Sequence, residues 1–540
     1  MARRLGAVTA LVSVCLTAAL LAGGGSAGTP SGAMCNSAAK ISGRGATFQW
    51  FAQWNWMRAY RDDVCGAVTD SALPGTSGAS TSTGDTMVLY NGTNGNDTQI
   101  SDNQGAWIGS LDGDSTHTAS PGYAVGKNTG SGAGITSQEC RTDAFAGSDK
   151  PYTSTDIANM RGAPGTGGCA SVDTGTNATS QFNPFTPTQR AFPNASDTTS
   201  PILSFPVAVS AVALAVNFDP AVANSSCTNA TFNFDSGTVS KLLGGDYLNW
   251  SNVPGMSGCK TLGGADIPIK RVVRRDNSGT SQILLNYLGN VDASRSGATC
   301  QTTVLWNKAQ PKPPGPGLWP GDSAASVAGC SQVVHGWKSG NPGVIDVCDG
   351  SHQPVQGSTS TEFATFDPNA GFDANGAVCY ADLPDLEIAT LAQGITTLHL
   401  ANVRNATNTA YANSLAGNGS SANCDTGSIG KPGAGSGGDL VGLNAGDTYS
   451  TDNPGHPIRS DITNKGTKYP ICGPTFGLVY ELGQHPTADS RLTAPQVRNV
   501  YSYFSYILSS AGQNILDQNF YASQQPNNVA AIRQAFQDNF

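Results

Sequence analysis

Residues 271–281 read R-V-V-R-R-D-N-S-G-T-S, and the apolar pattern on either side decides how this stretch folds. Before it, Ile267 and Ile269 alternate with other residues and run into Val272 and Val273, the period-two signature of a buried strand. After it, Ile283, Leu284, Tyr287, Leu288 and Val291 recur at helical spacing. The stretch is therefore a strand-to-helix turn. Ser278, Gly279 and Thr280 fall where the first helical N–H groups have no partner within the helix, an arrangement that favours an anion. Arg274 and Arg275 add guanidinium forks suited to tetrahedral oxyanions. Taken alone, the same residues also describe a capped turn carrying two surface arginines.

Upstream, I-S-G-R-G-A-T-F-Q-W at 41–50 predicts a short strand, a glycine turn and a helix. Thr47 is the expected N-cap, with Trp50, Phe51, Trp54 and Met57 on one face. Between Pro121 and Pro151 a third glycine turn holds Ser131, and Asp149 follows eighteen residues later at the end of a small-residue strand. Phe205 to Phe218 is a continuous apolar run, long enough for a strand that crosses between two domains. Downstream, Val239–Leu243 reads as a short helix, Gly340–Val347 and Gly376–Leu383 as core segments, and Tyr469–Tyr480 as the last clear strand. Val497, Val500, Tyr501, Phe504, Ile507 and Leu508 then mark an amphipathic helix, with Thr493 and Pro495 near its start and Gly512 at its stop. A closing helix begins near Asn528. Strands alternating with helices place the chain among α/β folds.

Residues 66–120 and roughly 403–467 are rich in Gly, Ser, Thr, Asn and Asp and read as surface excursions. Asp112 and Asp114 resemble the start of a calcium loop but lack the later ligands, which favours a solvated loop.

The chain opens Met-Ala-Arg-Arg, continues with an apolar run from Ala7 to Ala22, and passes through small residues to Ala27, the pattern of a secretory signal peptide at 1–27. Cys15 lies inside that run after Val14, so no lipid anchor is expected, and the product is a soluble protein of the periplasm or extracellular space. Removing the signal leaves twelve of the thirteen cysteines, an even number that implies disulfides in an exported chain. Proximity pairs them 35 with 65, 140 with 169, 227 with 259, 300 with 330, 348 with 379 and 424 with 472, although spacing does not fix connectivity. Losing Arg3 and Arg4 takes the net charge from −9 to −11, which argues against a nucleic-acid partner. Any anion site must be built locally. No C-x-x-C, H-E-x-x-H or His-x3-His pattern supports a metal or redox cofactor. The one G-x-S-x-G match, Gly24 to Gly28, lies in the signal region, so no catalytic set is expected.

Seven ordered blocks carry a family resemblance: G-A-T-F at 45–48, T-G-S-G-A-G at 129–134, F-A-G-S-D-K-P at 145–151, F-P-V with A-L-A-V-N-F up to 218, the opening stretch at 271–281, G-A-V-C-Y-A-D-L at 376–383 and Y-P-I-C-G-P-T-F at 469–476. In this order the chain resembles the substrate-binding proteins of bacterial phosphate ABC transporters. The resemblance implies a type II periplasmic binding protein fold, two α/β lobes joined by hinge strands, here with glycine-rich, disulfide-tied insertions. On that plan lobe I takes residues 35–206, with the insertion at about 66–120, and returns at 469–540, while lobe II takes 207–468 with inserted loops. Inorganic phosphate would be the ligand, permease subunits the partners, and the chain a monomer without enzymatic activity.

Carried over block by block, the resemblance implies phosphate contacts from Thr47, from the Phe48 backbone N–H, and from Ser131, Asp149, Arg274, Ser278, Gly279 and Thr280. Arg275 becomes a supporting residue and Asp276 the group that orients the arginine. Asp149 is the informative member, because a carboxylate facing an anion repels it unless a proton lies between them. Phosphate keeps a proton at neutral pH and sulfate does not. The residues leave two other readings open, a secreted or surface scaffold of the same fold and a secreted phosphatase or hydrolase.

Overall fold

The computed structural model describes residues 41–65, 106–107, 122–125, 131–139, 143–149, 202–274, 278–292, 336–338, 341–350, 372–393, 397–407, 409–428, 462–480 and 492–540. The signal segment, Asp112 and Asp114, Arg275 and Asp276 lie outside this set.

In chain order, β1 (Ser42–Gly45) leads through a 3-10 turn (Thr47–Gln49) into α1 (Trp50–Cys65). Next come β2 (Ala106–Trp107), β3 (Gly122–Val125), α2 (Ser131–Glu139), β4 (Phe145–Ser148) and β5 (Ile202–Asn217). The middle of the chain holds α3 (Ser225–Thr228), β6 (Asn233–Phe234), α4 (Ser236–Gly244), β7 (Lys270–Arg274), α5 (Gly279–Val291), β8 (Gly336–Lys338) and α6 (Asn341–Asp349). It continues with β9 (Ala377–Asp382), α7 (Leu383–Gln393), β10 (Leu398–Leu400), β11 (Asn402–Arg404) and β12 (Tyr411–Ala412). The chain closes with β13 (Cys472–Tyr480), α8 (Ala494–Ile507), α9 (Ser510–Leu516) and α10 (Pro526–Asn539).

The apolar run expected at 205–218 forms β5, which is the axis of the molecule. Its residues 203–216 are buried whichever way they point, as a strand covered on both faces requires. One half, Ile202–Ala211, pairs antiparallel with β13, and the other, Val212–Asn217, pairs antiparallel with β9. The main sheet runs β2-β3-β1-β4-β13-β5-β9-β7-β8, with β10 pairing to β5. β1, β3 and β4 are mutually parallel on one flank, and β9, β7 and β8 on the other. β6, β11 and β12 form a separate small sheet. An α/β fold with two flanks joined through long central strands is therefore what the sequence specifies.

On the first flank, edge-on rings of Phe145, Phe205 and Phe504 tie β4 and β5 to α8, with ring centroids 5.4 and 5.3 Å apart. Across the axis, Phe218, Phe232 and Trp250 pack together, and the Trp250 indole N–H donates to the Gly376 carbonyl at 2.8 Å.

Several local expectations shift. α1 is buried on more than one face, because Trp56 is fully buried as well as Trp50 and its indole donates to the Gly512 carbonyl at 2.8 Å. Thr47 does not act as a cap: it is the first residue of the 3-10 turn that leads into α1, the cap position of that turn is Ala46, with no side-chain cap bond, and the Thr47 hydroxyl is engaged elsewhere. The amphipathic helix stops at Ile507, not at Gly512, because Ser509 caps a second helix by accepting from the Gly512 N–H at 3.2 Å. At its start, where Thr493 was expected, Thr493 and Gln496 form a capping box. Ala106 and Trp107, within the stretch read as an excursion, form β2 at the sheet edge.

Cys227 pairs with Cys259, Cys348 with Cys379 and Cys424 with Cys472, three of the six pairs proposed from order along the chain. The other three involve side chains outside the described set. Cys348–Cys379 ties α6 to β9 across a separation of 31 residues. Removing both cysteines by alanine substitution is expected to cost about 3–4 kcal/mol in a urea titration, the loop-closure value for that length. An unchanged midpoint would contradict this.

Candidate ligand-binding site

The residues at the carboxyl ends of β1, β4 and β7 come together, the usual kind of place for a ligand in an open α/β sheet. At the end of β1 the chain must pass very close to β4. Gly45 has φ +148°, and a Cβ there would lie 2.0 Å from the Gly147 carbonyl oxygen, so only glycine allows this approach. The Ala46 N–H then donates to that carbonyl at 3.0 Å and sets the 3-10 turn that carries Thr47 and Phe48. Phe48 sends its side chain into the core, and its carbonyl accepts from the Tyr521 hydroxyl at 2.8 Å. Its N–H lies in the first turn of the helical segment, where such donors lack helical partners.

Ser131 opens α2, and its hydroxyl accepts from the Asp149 N–H at 2.9 Å while lying 3.2 Å from the Asp149 carboxylate. The other carboxylate oxygen accepts from the Thr475 hydroxyl at 2.6 Å. Gln49 donates in turn to Thr475 Oγ1 at 2.6 Å and to the Phe476 carbonyl at 2.7 Å. The β4–β13 pairing makes this possible, since Ser148 is opposite Phe476 and the next residues, Asp149 and Thr475, meet. All of these side chains are buried.

On the other flank, β7 ends in Arg274, whose Nη1 donates to Thr47 Oγ1 at 3.1 Å, Thr280 Oγ1 at 3.1 Å and Asn341 Oδ1 at 2.8 Å. A hydroxyl that accepts from a guanidinium keeps its own hydrogen to donate, so Arg274 turns Thr47 and Thr280 into oriented donors. Ser278 caps α5 by accepting from the Ser281 N–H at 3.1 Å. Tyr380 braces the same turn, with its hydroxyl 2.6 Å from Ser281 Oγ and accepting from the Arg274 N–H at 3.3 Å.

Gly279 joins the two sides. A Cβ at this position would sit 2.3 Å from both Ser131 Oγ and Asp149 Cβ, so the start of α5 abuts the Ser131–Asp149 pair directly. Thr47, Phe48, Ser131, Asp149, Arg274, Ser278, Gly279 and Thr280 are thus brought into one buried locus. Arg271 behaves differently from Arg274. Its guanidinium is buried against the carbonyls of Leu242, Ile269 and Tyr247, as a brace between β7 and the α4 region.

Asn341, Thr475, Gln49 and Tyr380 were not singled out as site residues from sequence. Thr475 and Tyr380 lie inside family-like blocks, which was the available signal, and Gln49 follows one. Nothing in the sequence around Asn341 distinguished it from a core segment.

Behind the site, Asp382 and Asp385 are both fully buried, and Asp385 accepts from the Trp50 indole N–H. Burial above all, then the adjacent Asp385 and the charge of Asp149, hold the Asp382 carboxyl well above the usual range, against the pull of Arg274. Its environment thus favours the neutral form of the carboxyl. A carboxyl raised in the folded chain costs stability as pH climbs from the ordinary carboxylate range toward the raised value, because only the unfolded chain ionises there. Asp382→Asn should therefore gain thermal stability relative to wild type between pH 4 and pH 8. An offset identical at the two pH values would contradict it.

A sequence profile described as "PBP superfamily domain" matches residues 183–505, more than half of the chain. The chain belongs to the PBP superfamily. No curated protein sequence matches it. Among the solved structures that it matches is a high affinity periplasmic phosphate-binding protein, PfluDING, at 15% identity and a TM-score of 0.46, covering 92% of this chain and 93% of that one. A phosphate-binding protein from Stenotrophomonas maltophilia shows 15% identity, a TM-score of 0.40 and coverage of 77% and 87%. A possible phosphate-binding protein from Planctomyces limnophilus shows 12% identity, a TM-score of 0.33 and coverage of 93% and 99%. Among the described residues of this PBP superfamily chain, no helix is long and apolar enough to cross a membrane.

Proposed function

We propose that this PBP superfamily chain binds inorganic phosphate between its two lobes, residues 35–206 with 469–540 and residues 207–468. The observation that carries the reading is the opposition of one carboxylate, Asp149, to a donor set built from Arg274, Thr47, Thr280 and the start of α5. The donors suit a tetrahedral oxyanion, and the fixed acceptor suits one that retains a proton. Helix N-termini supply further positive potential without a cluster of basic residues. A micromolar dissociation constant needs only about −8 kcal/mol, within reach of such a ring of donors.

The signal-like N-terminus and the disulfides support a role outside the cytoplasmic membrane, where a hinged receptor delivers phosphate to an ABC-type importer. Equilibrium dialysis of the purified chain against labelled phosphate, after unfolding and refolding to strip bound anion, tests the reading. One equivalent retained per chain is expected, and no retention at millimolar phosphate overturns it.

A further inference from the structure

Asn341 opens α6, the nine-residue helix that follows β8. β8 runs parallel to β7 with Lys338 opposite Arg274, so the turn after β8 arrives beside the arginine by topology alone. Sequence reading found three helix starts at the site; this is a fourth.

The side chain of Asn341 is fully buried. A guanidinium can only donate, so the atom of the amide facing Arg274 Nη1 at 2.8 Å is the carbonyl oxygen, and the orientation of the amide is fixed. That leaves Nδ2, with two hydrogens, on the opposite arm of the same planar group. It makes no hydrogen bond among the described residues. A buried amide donor without an acceptor is costly, and proteins seldom keep one unless something else completes it. The group sits against Arg274, which also holds Thr47 and Thr280.

We infer that Asn341 is a further ligand residue, whose Oδ1 steadies Arg274 and whose Nδ2 donates to an oxygen of the bound oxyanion. The inference rests on the phosphate reading above and adds to it a neutral donor that discriminates by geometry, since Nδ2 is satisfied only when an acceptor oxygen reaches the floor of the site beside Arg274.

Asn341→Asp separates contact with the ligand from support of Arg274. The carboxylate still accepts from Arg274, but it turns a second oxygen, not a donor, toward the anion. Isothermal titration with inorganic phosphate at pH 8 is expected to show affinity reduced at least tenfold, with partial recovery toward pH 5 as the new carboxyl takes up a proton. Thermal denaturation without phosphate reports whether the variant is folded. Affinity within threefold of wild type at both pH values overturns the inference and leaves the phosphate reading standing. Failure of the wild-type chain to bind phosphate overturns the phosphate reading itself. If Asn341→Asp does not fold, a crystal structure of the wild-type chain with phosphate decides: Nδ2 at about 2.7–3.2 Å from a phosphate oxygen is expected, and a gap beyond about 4 Å overturns the assignment.

Discussion

Arg274→Ala is expected to weaken phosphate binding by on the order of 100-fold, the largest single effect at the site. Arg274 is the one cation whose side chain is described in the ring of proposed contacts, and its Nη1 holds three acceptors from three separate elements. In the proposed site its removal would take away a charge-assisted contact to the anion. It also releases Thr47, Thr280 and Asn341, so their hydrogens are no longer aimed at one point. Arg274→Lys keeps the charge and loses the fork, and an intermediate loss of about tenfold is expected. Titration of each variant with phosphate, beside thermal denaturation of the unliganded proteins, separates loss of binding from loss of fold. Arg275→Ala is the comparison and should remain within a few-fold of wild type. A folded Arg274→Ala protein with undiminished affinity would remove this residue from the site.

Asp149→Asn is expected to act on selectivity more than on affinity. The carboxylate is fixed by the Thr475 hydroxyl on one oxygen and lies near Ser131 on the other, so it cannot swing away from an unsuitable anion. In the proposed site sulfate would meet it with no proton to share, and two negative groups would face each other in a buried site. Phosphate carries a proton in both forms present near neutrality and donates it. Asparagine offers either an acceptor or a donor, so it tolerates both anions. The ratio of phosphate to sulfate affinity should fall by on the order of 100-fold, mainly through a gain in sulfate binding. Competition titrations measure this ratio, and an unchanged value in a folded variant would exclude Asp149 as the discriminating group.

The strand-to-helix turn at 271–281 was legible because strand and helix periods differ and the residues between them are small. The crossing strand was legible because fourteen consecutive residues from Phe205 to Phe218 are nearly all apolar. The cap of the first helix was misread for a physical reason: Thr47 has the right chemistry for a cap, but Arg274, 227 positions away, competes for its hydroxyl. Thr475 reaches Asp149 across 326 positions, and Gln49 reaches Thr475 across 426. Contacts of that separation are fixed by strand order, which no local pattern reports. Asn341 escaped for the same reason, since only the parallel pairing of β7 with β8 brings it to Arg274. The glycines were ambiguous one by one in a chain that has 66 of them. Gly45 and Gly279 are distinguished by what stands where a Cβ would be, and Gly45 also by its positive φ.

The most direct test is calorimetric titration of the stripped wild-type chain with phosphate and, separately, with sulfate at pH 7.5 and fixed ionic strength. One site with micromolar or tighter affinity for phosphate and at least a hundredfold weaker response to sulfate is the expected result. No heat with phosphate, or equal binding of the two anions, would contradict the assignment of Asp149 and Arg274 to a phosphate site.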